Sequence, residues 1–280
     1  MDILLQNGAI PDDIVLTRHM SEAQERETEA LWESAKEGHK HLLEFMLSCG
    51  SEINAVLGGK TTILGVASHF CQVEVTRLLV ERGADINIRD VPGDTALHCA
   101  AFSGSVEIIN ILLDKGMSVN LTNTNVKTPL HVSAFRGNLE ATKTFVKRGA
   151  DVNSITVDGH TPLHLAASIG KLEVFSYLTE NGADINILDV NNNTSLHCAA
   201  LSDSVKIINI LLDKGVSVNL TNAYEYTPLH FSAFFGNLEA TITLVKRGAA
   251  KNSINKFGDT PLMLAKFNGN LEVLFYLFIV

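Results

Sequence analysis

Ten histidines and four cysteines are the side chains of this 280-residue sequence best suited to ligate a metal, pass a proton or attack a substrate, so their spacing comes first. Five histidines, His98, His131, His164, His197 and His230, stand 33 residues apart. One imidazole every 33 residues cannot close a coordination sphere whose donors lie about 2 Å from a single ion, so the ladder predicts a repeated structural role. His39 and His41, two apart at a helix start, face different ways. Cys49, Cys71, Cys99 and Cys198 form no CxxC pair and no even disulfide spacing, which points to a reducing compartment. Cys99 and Cys198 hold equivalent positions in a helix where a small apolar residue packs, not places for a thiolate nucleophile. Gly59-Lys60-Thr61 resembles the end of a phosphate loop, but the glycine such a loop needs five residues earlier is Asn54. No Ser/His/Asp set and no carboxylate pair rises above the repeat pattern. The expectation is a protein that is not an enzyme and takes no metal or cofactor.

The period that spaces the histidines organises the whole sequence. Thr95-Ala96-Leu97-His98 recurs as Thr128-Pro129-Leu130-His131, Thr161-Pro162-Leu163-His164, Thr194-Ser195-Leu196-His197, Thr227-Pro228-Leu229-His230 and Thr260-Pro261-Leu262-Met263. Stepping back gives Thr62-Ile63-Leu64-Gly65 and Glu29-Ala30-Leu31-Trp32. A glycine follows each start by 21 positions, Gly50 to Gly248, and an asparagine by 25, Asn54 to Asn252. Each Thr-Pro predicts an N-cap with proline in the first helical position. A second helix follows with apolar residues at Val106, Ile109, Leu112 and Leu113, then Gly116 stops it. The rest of each unit, such as 84–93, predicts a turn-rich hairpin.

This unit resembles the ankyrin repeat, whose signature contains T-P-L-H-x-A, and the resemblance covers residues 27–280. It implies an all-α solenoid of stacked helix–turn–helix units with short β-hairpin loops on one side, in which neighbours bury the stripe that one unit cannot bury alone. The expected units are 27–59, 60–92, 93–125, 126–158, 159–191, 192–224 and 225–257, with a partial unit at 258–280. Residues 1–26 read as a remnant of a preceding repeat helix plus a charged linker. Departures at Glu29, Trp32, Gly65 and Cys71 predict least regularity in the first two units; Asp203 replaces a glycine in the sixth. The start inside a second helix, and a tail ending Phe278-Ile279-Val280 where a polar outer face is usual, predict either a piece of a longer array or self-association through the apolar C-terminal end.

With 46% hydrophobic and 19% charged residues the protein is too apolar for disorder. A net charge of -9 without a basic stripe argues against nucleic acid and against anionic membrane. The longest apolar run, Val273 to Val280, is far short of the roughly 20 residues that span a bilayer, and no signal peptide is visible, so the expected location is cytoplasm or nucleus. What remains is recognition of a partner protein. The resemblance implies a non-catalytic scaffold or adaptor that binds through hairpin tips and the concave first-helix face; the alternatives are a regulatory or targeting arm of a larger enzyme, channel or toxin, and a substrate of an asparaginyl hydroxylase. Residues 95–155 and 194–254 are about three quarters identical at an offset of 99, and they differ most at the tips: Thr124-Asn125-Val126-Lys127 becomes Ala223-Tyr224-Glu225-Tyr226, and Arg136 becomes Phe235. Tyr224, Tyr226, Phe234, Phe235, Phe257 and Phe267 therefore form the expected hot spot, with Asn125, Lys127 and Arg136 as the matching contacts in the earlier copy. Leu79 with Asp85-Ile86-Asn87, and Leu178 with Asp184-Ile185-Asn186, are similar to the pattern that 2-oxoglutarate-dependent asparaginyl hydroxylases accept, which makes Asn87 and Asn186 candidate modification sites.

Overall fold

A threonine that stays extended while its hydroxyl takes a helix N–H starts most first helices of this protein. Thr128 (φ -90°, ψ 164°) accepts from the His131 N–H, Pro129 follows it, and the helix ends at Gly137 in the left-handed conformation (φ +77°). The computed structural model describes residues 12–57 and 61–280. In sequence order the elements are α1 (Asp12–Glu37), α2 (Lys40–Ser48), β1 (Val56–Leu57), β2 (Thr61–Thr62), α3 (Ile63–His69), α4 (Val73–Glu81), α5 (Ala96–Ser103), α6 (Val106–Asp114), α7 (Pro129–Arg136), α8 (Leu139–Lys147), α9 (Pro162–Ser168), α10 (Leu172–Glu180), α11 (Ser195–Leu201), α12 (Val205–Asp213), α13 (Pro228–Phe235), α14 (Leu238–Lys246), α15 (Pro261–Phe267) and α16 (Leu271–Ile279).

The odd-numbered helices pack on one another in sequence, and the even-numbered ones do the same, so two helical layers run the length of the stack. The core lies between them. Leu97, Leu130, Leu163, Leu196 and Leu229 from the first layer meet Ile109, Phe145, Phe175, Ile208 and Leu244 from the second, all fully buried. No unit owns this core alone, which is the physical reason an array of such units folds as one body.

Polar bonds between repeats fix the register. The Asn138 amide donates to the Ala101 and Phe102 carbonyls at 2.9 and 3.0 Å, filling acceptors left open at the end of α5; Asn237 and Asn270 make the same bond to the ends of α11 and α13. On the second-helix face, ion pairs join neighbours: Glu44–Arg82, Asp114–Arg148 and Asp213–Arg247. These are exposed and add little stability.

Two places differ from the sequence reading. The stretch 12–26, read as linker, is helical as part of α1; it contains no glycine or proline, and Leu16, Arg18, Met20 and every residue from Glu22 to Arg26 are good helix formers. The remnant helix expected at residues 2–9, and Gly59 and Lys60, lie outside the described residues. At the junction of the first two repeats the hairpin forms a short antiparallel pair, Val56 with Thr62 and Leu57 with Thr61, and these are the only strands among the described residues. Later junctions are tighter turns. At the glycine-substituted positions Cys71 and Asp203 sit at φ 60° and 56°. Asp203 recovers part of that strain: its carboxylate accepts from the Ala240 N–H at 2.7 Å, in the first turn of α14.

Candidate functional site

Each later junction ends in a five-residue tip: 90–94, 123–127, 156–160, 189–193, 222–226 and 255–259. The N–H of the first tip residue donates to the carbonyl of the fifth, and the N–H of the fourth donates back to the carbonyl of the first. The fourth residue is left-handed throughout: Gly93, Val126 (φ 56°), Gly159, Asn192, Glu225 and Gly258. The first side chain holds the turn from within; Asn222 Oδ1 accepts from the Tyr224 and Tyr226 N–H groups at 2.9 and 3.0 Å. Adjacent tips are tied together, for example Ala223 N–H to the Asn191 carbonyl at 2.8 Å and Lys256 N–H to the Tyr224 carbonyl at 3.0 Å. The second and third residues of each tip are thereby presented outward on a braced ladder.

The histidines brace this ladder from below. His131 Nδ1 accepts the Thr128 backbone N–H at 3.1 Å, and its Nε2 lies 3.0 Å from the His160 carbonyl in the next tip. That pairing requires the neutral Nε2–H tautomer. His98, His197 and His230 make the same two bonds. His164 keeps the first, while its Nε2 is buried without a partner. Burial pushes His131, His164 and His197 down to about 4. The ladder is therefore occupied as scaffold. Burial pushes the Cys99 and Cys198 thiols up to about 12, which leaves no thiolate at neutral pH. Among the described residues no cluster of three or more His, Cys, Asp or Glu could hold a metal ion, and no helix is long and apolar enough to cross a membrane.

The expected hot-spot residues do meet in space. Tyr224, Tyr226, Phe234 and Phe235 line one cleft of about 300 Å3 together with Phe231, Asn191, Asn193 and Asn222. Tyr226, Phe234 and Phe267 line a second, of about 590 Å3, with Asp259, Met263, Leu264 and Lys266. Tyr226 and Phe234 stand in both, so the two clefts adjoin. Tyr224 stacks on Phe257 (6.4 Å between centroids, 17° between planes), and Phe234 meets Phe235 edge-on at 5.0 Å. Tyr226 is the part-buried member, edge-on to His230, Phe231 and Phe257. Tyr224 and Phe235 remain about half exposed and Phe267 is 86% exposed.

In the earlier copy the matching residues do not form such a wall. Asn125 is exposed at its tip and Lys127 is part-buried, its backbone taken up by the tip and by His98. Arg136 lies over the Phe102 ring at 4.1 Å, and Phe102 in turn stacks on His69 at 4.7 Å. His69 is pushed down first by burial and then by Arg136.

Sequence reasoning missed Phe231, which lies under Tyr226 and packs edge-on to His197 at 5.3 Å. Its signal was there: Val132 in the first copy becomes Phe231 in the second, alongside the change at the tip. At the seventh position after the Thr, part of the expected first-helix face, Phe102, Phe135, Leu201, Phe234 and Phe267 are each at least a third exposed, and Ser168 interrupts the row.

The asparagines beneath the tips divide into two sets. Asn54, Asn120, Asn153 and Asn219 each accept, through Oδ1, the N–H of Asp85, Asp151, Asp184 and Ala250 in the next repeat at 2.8–3.0 Å. Asn87 and Asn186 turn inward to Asp85 and Asp184 of their own repeats. The next repeats there carry Met117-Ser118 and Val216-Ser217, where the bridged junctions carry an alanine followed by Asp or Ala.

A family model described as ankyrin repeats (3 copies) matches residues 31–123, 90–156, 130–222 and 196–279. No curated protein sequence matches this one. With its repeats matched from Leu31 to Ile279, and with threonine caps, bracing histidines and tip ladder recurring at that period, the protein belongs to the ankyrin-repeat family.

Proposed function

We propose that this protein is a non-catalytic scaffold or adaptor that binds a partner protein through its tips and first-helix face, with the hot spot at Tyr224, Tyr226, Phe234 and Phe235 and flanking contacts from Phe257 and Phe267. Ankyrin repeats are generally protein–protein interaction modules. The observation that carries the finer reading is the pair of adjoining clefts sharing Tyr226 and Phe234. Rigid rings in a cleft bury much area at small entropic cost. Tyr226 stands where two earlier tips offer a side-chain acceptor. Asn123 and Asn222 donate their amides to Asp94 and Asn193 of the preceding tip; the equivalent residue before Asn255 is Tyr226, and Asn255 Nδ2 is buried without a partner. The test is quantitative affinity capture with the unmodified protein, Tyr224→Ala and Phe235→Ala. Proteins that bind this face should be depleted at least tenfold on the variants, which should melt where the parent does; an unchanged captured set would remove the reading. Exposed free thiols at Cys49 and Cys71 fit a cytoplasmic or nuclear location.

Two further readings have an observation of their own. Unlike Asn54, Asn120, Asn153 and Asn219, Asn87 and Asn186 make no side-chain bond to the following repeat, so modification there breaks no contact between repeats. An asparaginyl hydroxylase would insert one oxygen atom of O2 into a C–H bond of the asparagine side group as 2-oxoglutarate takes the other and leaves as succinate and CO2. Peptide mass analysis after incubation should show +O on Asn87 or Asn186 and not on Asn120 or Asn219. Self-association is the other. Leu271, Phe275, Phe278, Ile279 and Val280 are each more than half exposed on or just beyond α16. Sedimentation should show concentration-dependent association that disappears when Phe278, Ile279 and Val280 are made polar; a monomer at all concentrations would refute it.

A further inference from the structure

The two copies of the duplicated segment, and the residues that follow each at the same 99-residue offset, carry different surface chemistry at equivalent places. Lys127 becomes Tyr226, Arg136 becomes Phe235, and Lys171, whose side chain lies over Gly137, becomes Asn270, which lies over Gly236. Three cations in one copy are thus three neutral groups in the other. One acid stands among the first set, Asp158, replaced by Phe257. Among the described residues none of Lys127, Arg136 and Lys171 makes an ion pair. A second acid, Asp94 of the preceding tip, keeps its charge but points its carboxylate at the Asn123 amide at 2.8 Å, so the cations outnumber the acids three to two. Arg136 rests on the Phe102 face, which fixes its position while leaving its N–H groups to point at a ligand. On a protein of net charge -9, three unpaired cations on the first-helix face and tips are a local reversal of sign.

We infer that the partner is one extended segment that lays acidic side chains against Lys127, Arg136 and Lys171 and large apolar side chains into the Tyr224–Phe235 cleft. This rests on the proposed binding face and adds its chemistry and its length. Equivalent points in the two copies are three repeats apart, about 30 Å at roughly 10 Å per packed helix. An extended peptide spans that distance in about nine residues. The acidic group supplies salt-sensitive attraction, and the apolar group supplies tight, salt-insensitive burial.

Selection of a displayed library of random peptides, about sixteen residues long so that both patches are spanned, on the full protein tests this directly. Enriched peptides should pair Asp or Glu with Trp, Phe, Leu or Met about nine residues away. Selected peptides should lose at least tenfold in affinity to Arg136→Glu/Lys171→Glu, and selection on that variant should enrich Lys or Arg at the same place. On Phe235→Ala/Tyr224→Ala the acidic preference should persist while the apolar one fades. Enriched peptides without acids, or affinity indifferent to the charge reversal, would overturn the inference while leaving the binding face intact. Peptides that respond to the charge reversal but not to loss of the rings would overturn the aromatic hot spot instead. A library that enriches nothing would overturn both.

Discussion

Arg136 lies flat over Phe102, while its counterpart 99 residues later, Phe235, stands edge-on to Phe234 and lines a cleft. Beneath them the two copies are built alike. Thr128 and Thr227 cap α7 and α13 with the same geometry, and Ser133–Thr142 and Ser232–Thr241 make the same buried hydroxyl bond. His98 and His197 reach the next tip at 3.0 Å in both copies. Most of what differs on the binding face is outside this frame, at Lys127/Tyr226, Val132/Phe231 and Arg136/Phe235, while the core keeps an apolar residue even where Phe145 becomes Leu244. The pair teaches that the repeat's stability is written in residues that point into the stack, which leaves the tips and helix ends free to change chemistry.

The largest expected effect tests the shared frame. His131→Ala and His230→Ala each remove a bond to the capping threonine and one to the next tip, and should cost about 2–3 kcal/mol in either copy. Unequal losses would break the comparison. The same imidazoles set the acid response. Those of His131 and His197 fall to about 4 from the ordinary 6.5, so they are neutral when folded and take up protons on unfolding. Stability should be flat above about pH 6.5 and decline as pH falls from there toward 4, as denaturant midpoints across pH would show. Asp189 adds a lower step. Burial alone would raise its carboxyl, but bonds from His160 and from the Asn193 side chain outweigh that and hold it at about 2, so its contribution disappears only below about pH 4.

Next in size is the coupled pair under the second tip. Phe231→Val, which restores the residue of the first copy, should cost about 1–2 kcal/mol, because Tyr226 and His197 lose the ring they pack against. Combined with Tyr226→Lys the two losses should be clearly less than additive in a double-mutant cycle. Additive losses would mean that the two differences between the copies arose independently.

Most of this was legible in the sequence, and the part that was not has a physical reason. The period, the threonine caps, the bracing histidines and the tip positions follow from recurring residue types, because each unit meets the same neighbours. Val126 is a case that only the backbone reveals. It occupies the left-handed fourth position of a tip, where glycine stands in three other tips. A β-branched residue is strained there, yet its neighbours in sequence give no sign of it. Phe231 was missed for a related reason: a residue one place after the histidine points sideways between repeats, so its role depends on Tyr226 in the tip before it and on His197 of the preceding repeat.

The smallest expected effects come from those strained tip positions. Val126→Gly should stabilise the array by about 1 kcal/mol, and Glu225→Gly at the equivalent place by less, because glutamate is unbranched at Cβ. Thermal melts of the two variants side by side would show the difference, and an equal or reversed order would remove the strain argument.

The central claim is that one frame carries two surfaces and that the aromatic one binds. The most direct measurement grafts the first copy's exposed residues onto the second, as Tyr224→Asn and Phe235→Arg together, and records both the melting temperature and the affinity for peptides selected on the unmodified protein. The account predicts at least a tenfold loss of affinity with a melting temperature that stays where it was. A grafted protein that binds as before, or one that loses binding and stability in step, would contradict it.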